Sequence, residues 1–127
     1  MIVRCHQIIS PTTGKVVPEH PGIQVGADYP VLEIITSAKR VLLRIPEWFD
    51  TSTDLDSPGL WDAAMFTVVS ERMPSCWVAA LEGGSLTLAP PEWQRPGFWE
   101  DYFDDEPGAI AQYARRRAEI IAQAKRK

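Results

Sequence analysis

The chain has 127 residues, 45% of them hydrophobic and 24% charged, with a formal net charge of −4. A chain of that length buries roughly two thirds of the surface its unfolded form exposes, so one core is feasible without metals or disulfides, and wholesale disorder is excluded by the composition. No apolar run approaches the about 18 residues that span a bilayer, and Arg4 and His6 interrupt any signal-type stretch at the N-terminus, which places the protein in the cytoplasm.

Residues 1–21 contain Pro11, Gly14, Pro18 and Pro21, so a loop-rich start is expected, in which Ile2 to Ile9 and Lys15 to Val17 each supply a short edge strand. Val31 to Ile35 and Arg40 to Ile45 are rich in branched apolar residues and are separated by the polar segment Thr36 to Lys39, the pattern of a β-hairpin. Pro46 to Asp56 then reads as a loop without a basic residue, with acids around Trp48 and Phe49. Ser57 followed by Pro58 has the form of an N-cap and first helical position, which predicts a short helix over Leu60 to Met65.

Phe66 to Val69 reads as a further strand of the same antiparallel sheet, and Trp77 to Leu81 with Ser85 to Leu88 as a second hairpin turned at Gly83-Gly84. Pro90-Pro91 ends the sheet, because proline cannot donate to a ladder. Residues 96–103 suit one or two helical turns with aromatics on one side and acids on the other. Pro107 opens a longer helix in which Ile110, Tyr113, Ala114, Ile120, Ile121 and Ala124 recur at spacings of three and four. With no repeat and no linker, residues 1–127 read as a single α+β domain: an antiparallel sheet from two hairpins, short helices and one C-terminal α-helix.

Catalytic and metal chemistry finds little support. His6 and His20 are the two histidines. Cys5 and His6 are neighbours whose side chains leave opposite faces of a strand, a poor basis for a zinc site. Cys5 and Cys76 fall in no paired motif, and both read as reduced thiols. No Gly-rich phosphate loop of dinucleotide or Walker spacing is present, and Glu82-Gly83-Gly84-Ser85 lacks the following helix that anion binding uses. Glu100, Asp101, Asp104, Asp105 and Glu106 offer carboxylates for acid/base work or a hard metal, but such a run is more often a solvated helix face and cap. The reading is a protein that is not an enzyme and carries no cofactor and no metal.

Charge is unevenly spread. Residues 1–112 hold 16 acids against 7 bases, and residues 113–127 hold 1 acid against 6 bases. The acidic body repels phosphate backbones and attracts basic protein surfaces, while Arg115 to Arg117 and Lys125 to Lys127 sit where dipole compensation and salt bridges put basic residues. Of the five tryptophans, Trp61, Trp77 and Trp99 lie inside predicted elements and are assigned to the core. Trp48 and Trp93 lie in loops beside acids, where interface anchoring and core packing are equally good readings.

One string of residues is distinctive: Gly26, Tyr29, Val31, Leu32 and Ile34; then Leu60-Trp61-Asp62, Phe66, Val68-Val69-Ser70; then Pro74-Ser75 and Trp77; then Leu88, Pro90, Trp93 and Gly97-Phe98-Trp99-Glu100, Tyr102 and Phe103. This pattern, over about residues 22–106, resembles the immunity proteins of bacterial contact-dependent growth inhibition and related polymorphic toxin systems. The resemblance implies a cytoplasmic inhibitor that binds and neutralises a cognate toxin domain, often a nuclease, by covering its active site. The alternative is a small regulatory or interaction domain with no toxin partner. Under the first reading the partner is a basic protein toxin domain, with no direct nucleic-acid or membrane contact. The partner surface is expected at Glu47, Trp48, Asp50, Asp54 and Asp56, joined by Trp93, Glu100, Asp101 and Asp104.

Overall fold

Among the described residues, short extended runs between turn residues give ten strands. In chain order these are β1 (Ile2–Cys5), β2 (Ile8–Ile9), β3 (Val16–Val17), β4 (Asp28–Pro30), β5 (Glu33–Thr36), β6 (Val41–Ile45), β7 (Gly59–Asp62), β8 (Phe66–Ser70), β9 (Val78–Glu82) and β10 (Ser85–Ala89). Two helices follow, α1 (Phe98–Phe103) and α2 (Pro107–Ala124). The structure, a computed structural model, describes residues 1–46 and 57–125. Its strands pair antiparallel in a five-stranded sheet of order β7-β6-β5-β10-β9, a three-stranded sheet β4-β1-β8 and a two-stranded ribbon β2-β3. The protein is therefore α+β, with antiparallel sheets and a C-terminal helix, as its sequence leads one to expect.

Both hairpins form where they were expected. The β5–β6 turn closes with Ser37 N–H donating to the Arg40 carbonyl at 2.9 Å. The β9–β10 turn has φ of 57° at Gly83 and 81° at Gly84, the two left-handed positions that a type I′ turn needs and that glycine adopts without steric cost.

Three local expectations are corrected. Leu60 to Met65 is not a helix begun at Ser57. Gly59–Asp62 is strand β7, paired with β6 in the register Leu43 opposite Trp61, and only Ala63–Met65 makes a 3-10 turn, capped by Asp62 Oδ1 accepting from Ala64 N–H at 2.9 Å. Pairing with β6 buries the Trp61 indole in the core, and that burial outweighs the local Ser-Pro signal. Residues 66–69 form β8 as expected but not in the sheet of the two hairpins, since β8 pairs with β1. β1 itself is no edge strand, because it lies between β4 and β8 with Val3 and Cys5 buried on alternate positions.

Register sorts the five-stranded sheet into two faces. Leu43, Ile34 and Leu88 share one, and Arg44, Glu33, Ile35, Thr87 and Ala80 share the other. Leu43 and Ile34 join a core with Val3, Cys5, Ile8, Tyr29, Val31, Trp61, Met65 and Phe66. A second core of Leu32, Trp93, Phe98, Tyr102, Ala109, Tyr113 and Ile120 gathers the helices, and Trp77 packs against both. Its Nε1–H donates to the Leu32 carbonyl at 3.0 Å. Helix α2 begins at Glu106, whose carboxylate accepts from Gly108 and Ala109 N–H at 3.0 and 2.9 Å, with Pro107 in the first turn. Among the described residues no helix is long and apolar enough to cross a membrane.

Candidate functional site

Helix α1 is oriented by two inward anchors, Phe98 and Tyr102, which are four residues apart and 1% and 3% exposed. Fixing that stripe turns the opposite side, Glu100, Phe103 and Asp104, outward at spacings of three and four. Phe103 is 53% exposed, and its ring leans on Trp99 and Tyr102 at centroid distances of 5.9 and 5.2 Å, which fixes its position. Asp105 follows with φ of 61°, a left-handed conformation that aspartate tolerates better than most residues, and there the chain turns toward α2.

The acids in this stretch have two kinds of work. Asp101 pairs with Arg95 at 3.0 Å, and Glu106 caps α2, so both serve the chain's own fold. Glu100, Asp104 and Asp105 are exposed. They lie within three residues of Phe103 in sequence, so one exposed aromatic and three exposed acids fall on and just after α1.

Of the expected partner surface, Glu47, Trp48, Asp50, Asp54 and Asp56 lie outside the described residues. Glu100, Asp101 and Asp104 come together on and beside α1. Trp93 does not join them. It lies in the 3-10 turn Pro91–Gln94, 2% exposed, with Tyr113, Trp99 and Phe98 at centroid distances of 5.2, 5.5 and 6.4 Å. Trp93 is a core ring and not a surface anchor, because the turn that begins at Pro90-Pro91 folds it back over the helices. The exposed aromatic of this region is Phe103, which helical spacing from Phe98 and Tyr102 points outward.

The basic residues of α2 are engaged at home. Arg115 and Arg116 donate to Glu92 Oε1 at 2.9 and 2.6 Å, and Arg116 also reaches Glu119 at 2.9 Å. Hydrogen bonding from Arg116, before any other cause, holds the Glu92 carboxyl below the ordinary carboxylate range. Burial pushes the Cys5 and Cys76 thiols up, away from the thiolate that nucleophilic work requires.

Two of the clefts formed by the described residues bear on the site. The larger, about 640 Å³, is lined by Ile8, Tyr29 and the segment Pro18 to Val25, where His20 Nδ1 accepts from Gly22 N–H at 3.1 Å and its ring meets Trp61 edge-on at 4.9 Å. The smaller, about 330 Å³, has Glu33, Ile35 and Thr87 on its floor with Trp93, Gln94 and Trp99 beside them. Burial raises the Glu33 carboxyl above its ordinary range, and Arg44 opposes that shift from 2.9 Å. Arg44 is committed in turn to the Pro58 carbonyl at 3.0 Å and to the face of Trp99, 3.8 Å from its ring centroid. These groups hold sheet and helix together. Among the described residues no group of three or more His, Cys, Asp or Glu side chains is placed to hold a metal ion.

No family model, curated protein or solved structure matches the chain.

Proposed function

We propose that this protein is an immunity-type inhibitor that works by binding, not by catalysis, and neutralises a basic toxin domain of nuclease type by covering its active site. The observation that carries the proposal is the exposed Phe103 near the C-terminal end of α1, with exposed Glu100 on the same helix and exposed Asp104 and Asp105 directly after it. A nuclease must present positive charge to hold a phosphate backbone, so carboxylates around a flat aromatic can occupy the same groove. The carboxylates steer association, and the ring, once desolvated, slows release. Commitment of Arg115 and Arg116 to Glu92 keeps two of the chain's cations from attracting nucleic acid instead. The likeness of the Leu88 to Phe103 string to immunity proteins agrees with this reading. The site of action is the cytoplasm, where a delivered nuclease meets its substrate, and neither a cofactor, a membrane nor a nucleic acid takes part.

The test is growth rescue. Cells expressing, one at a time, the nuclease-type toxin domains of the source genome are supplied with this protein, and one toxin is expected to be neutralised. Rescue from none would remove the proposal.

A further inference from the structure

Strand β9 ends the five-stranded sheet, and all five of its residues, Val78 to Glu82, are exposed. Leu81 is 78% and Val78 45% exposed. Soluble proteins ordinarily blunt such an edge with proline, lysine, a bulge or a covering segment. The β9 sequence contains neither proline nor lysine, and its register with β10 runs without a bulge from Val78 opposite Ala89 to Glu82 opposite Ser85.

The hydrogen-bonding phase of this edge follows from the turn. A two-residue type I′ hairpin makes its flanking residues a hydrogen-bonded pair, and antiparallel strands alternate from there. Glu82 with Ser85, Ala80 with Thr87 and Val78 with Ala89 therefore exchange bonds across the hairpin. Two side-chain contacts agree with this phase. Gln94 Nε2 donates at 2.9 Å to both the Val78 and Ala89 carbonyls, which must then lie between the strands. Thr36 Oγ1 donates at 3.2 Å to the Leu86 carbonyl, which must then face β5. What is left over is the N–H and C=O of Ala79 and Leu81, all pointing away from the sheet.

We propose that this edge is a self-association site, where β9 pairs antiparallel with β9 of a second copy about a two-fold axis through Ala80. The register is self-complementary. With Ala80 on the axis, Ala79 stands opposite Leu81 of the second copy, so both outward-facing residues of each strand find hydrogen-bonded partners. A shift of one residue would set outward groups against inward ones. Charge agrees, since Glu82 falls opposite Val78 and no two acids within the strand face each other. The pair at the axis, Ala80 with Ala80, is non-hydrogen-bonded, where strands approach most closely, and two methyl groups fit there. Leu81 crosses over Ala79, covering the most exposed large apolar side chain of the strand. Two five-stranded sheets become one continuous sheet through an isologous contact.

Analytical ultracentrifugation joined to NMR hydrogen exchange tests the pairing. The parent protein is expected at twice the 14.2 kDa chain mass at the concentrations used for NMR, and to dissociate on dilution. Exchange at the Ala79 and Leu81 amides is expected to slow as concentration rises, while the Ala80 amide, already bonded to Thr87, is protected throughout. Ala79→Pro removes an outward N–H without removing a bond to β10, and Leu81→Lys places a charge on the edge. Both are expected at the single-chain mass, with the Ala80 amide still protected. Should Ala79→Pro fail to fold, Leu81→Lys alone decides, because its side chain is exposed. A parent that stays at the chain mass at every concentration would overturn the proposal. So would a folded variant that associates as strongly as the parent.

Discussion

Nε of Arg44 lies 2.9 Å from Oε1 of Glu33 in a pair whose side chains are 8% and 3% exposed. The guanidinium also donates to the Pro58 carbonyl and faces Trp99, so one buried cation joins β5, β6, the segment before β7 and α1. Removing one member strands a buried charge. Arg44→Ala is expected to cost about 3–5 kcal/mol in urea unfolding, whereas replacing both, Arg44→Met with Glu33→Leu, is expected to cost well under the sum of the single changes. Additive losses would mean that the two charges are not coupled.

Acid sensitivity has a specific source in Glu92. Its folded-state carboxyl is held below the ordinary range by Arg116, so the stability it contributes is present above the unfolded value and is lost as pH falls through the folded one. Glu33 works in the opposite direction, because burial raises its folded-state value and its ionisation opposes folding as pH rises. Glu92→Gln is expected to lower stability by about 1 kcal/mol at neutral pH and to flatten the decline as pH falls from the ordinary glutamate range, about 4.3, downward. Urea midpoints measured across that range check both the sign and the window.

Two aromatics close in sequence are expected to behave oppositely. Trp93→Ala removes a ring that is 2% exposed and should cost about 3–5 kcal/mol of stability. Phe103→Ala removes one that is 53% exposed and should cost less than about 1 kcal/mol, while, under the proposed inhibitor function, weakening binding to the toxin partner by about 2 kcal/mol. Thermal unfolding and titration against the neutralised toxin separate the two effects.

Elements with local signatures were legible in the sequence. Gly83-Gly84 between apolar runs announced the β9–β10 hairpin, and the spacing of Tyr113 and Ile120 behind Pro107 announced α2. Pairings between distant segments were not, since nothing local tells Ile2 that its partner is Ser70 and not a residue of the nearer hairpins. Ser57-Pro58 carried a true helix-start signal that β6 overrode by pairing with Gly59–Asp62. At the site, the acids on and beside α1 were legible from composition, but Trp93 was placed by its loop position. Its burial depends on how the Pro91–Gln94 turn meets α2, a tertiary fact. Phe103 was within reach, because Phe98 and Tyr102 at a spacing of four already define the inward face of α1.

The most direct test of the proposed inhibition measures association rates with the neutralised toxin at low and high salt, for the parent and for Glu100→Gln, Asp104→Asn and Asp105→Asn combined. The three acids are exposed, so the variant should fold as the parent does. Slower association at low salt, with a flatter dependence on ionic strength and a dissociation rate near that of the parent, is the expected result. Equal association rates for parent and variant at low salt would contradict the account and place the toxin-binding surface away from α1.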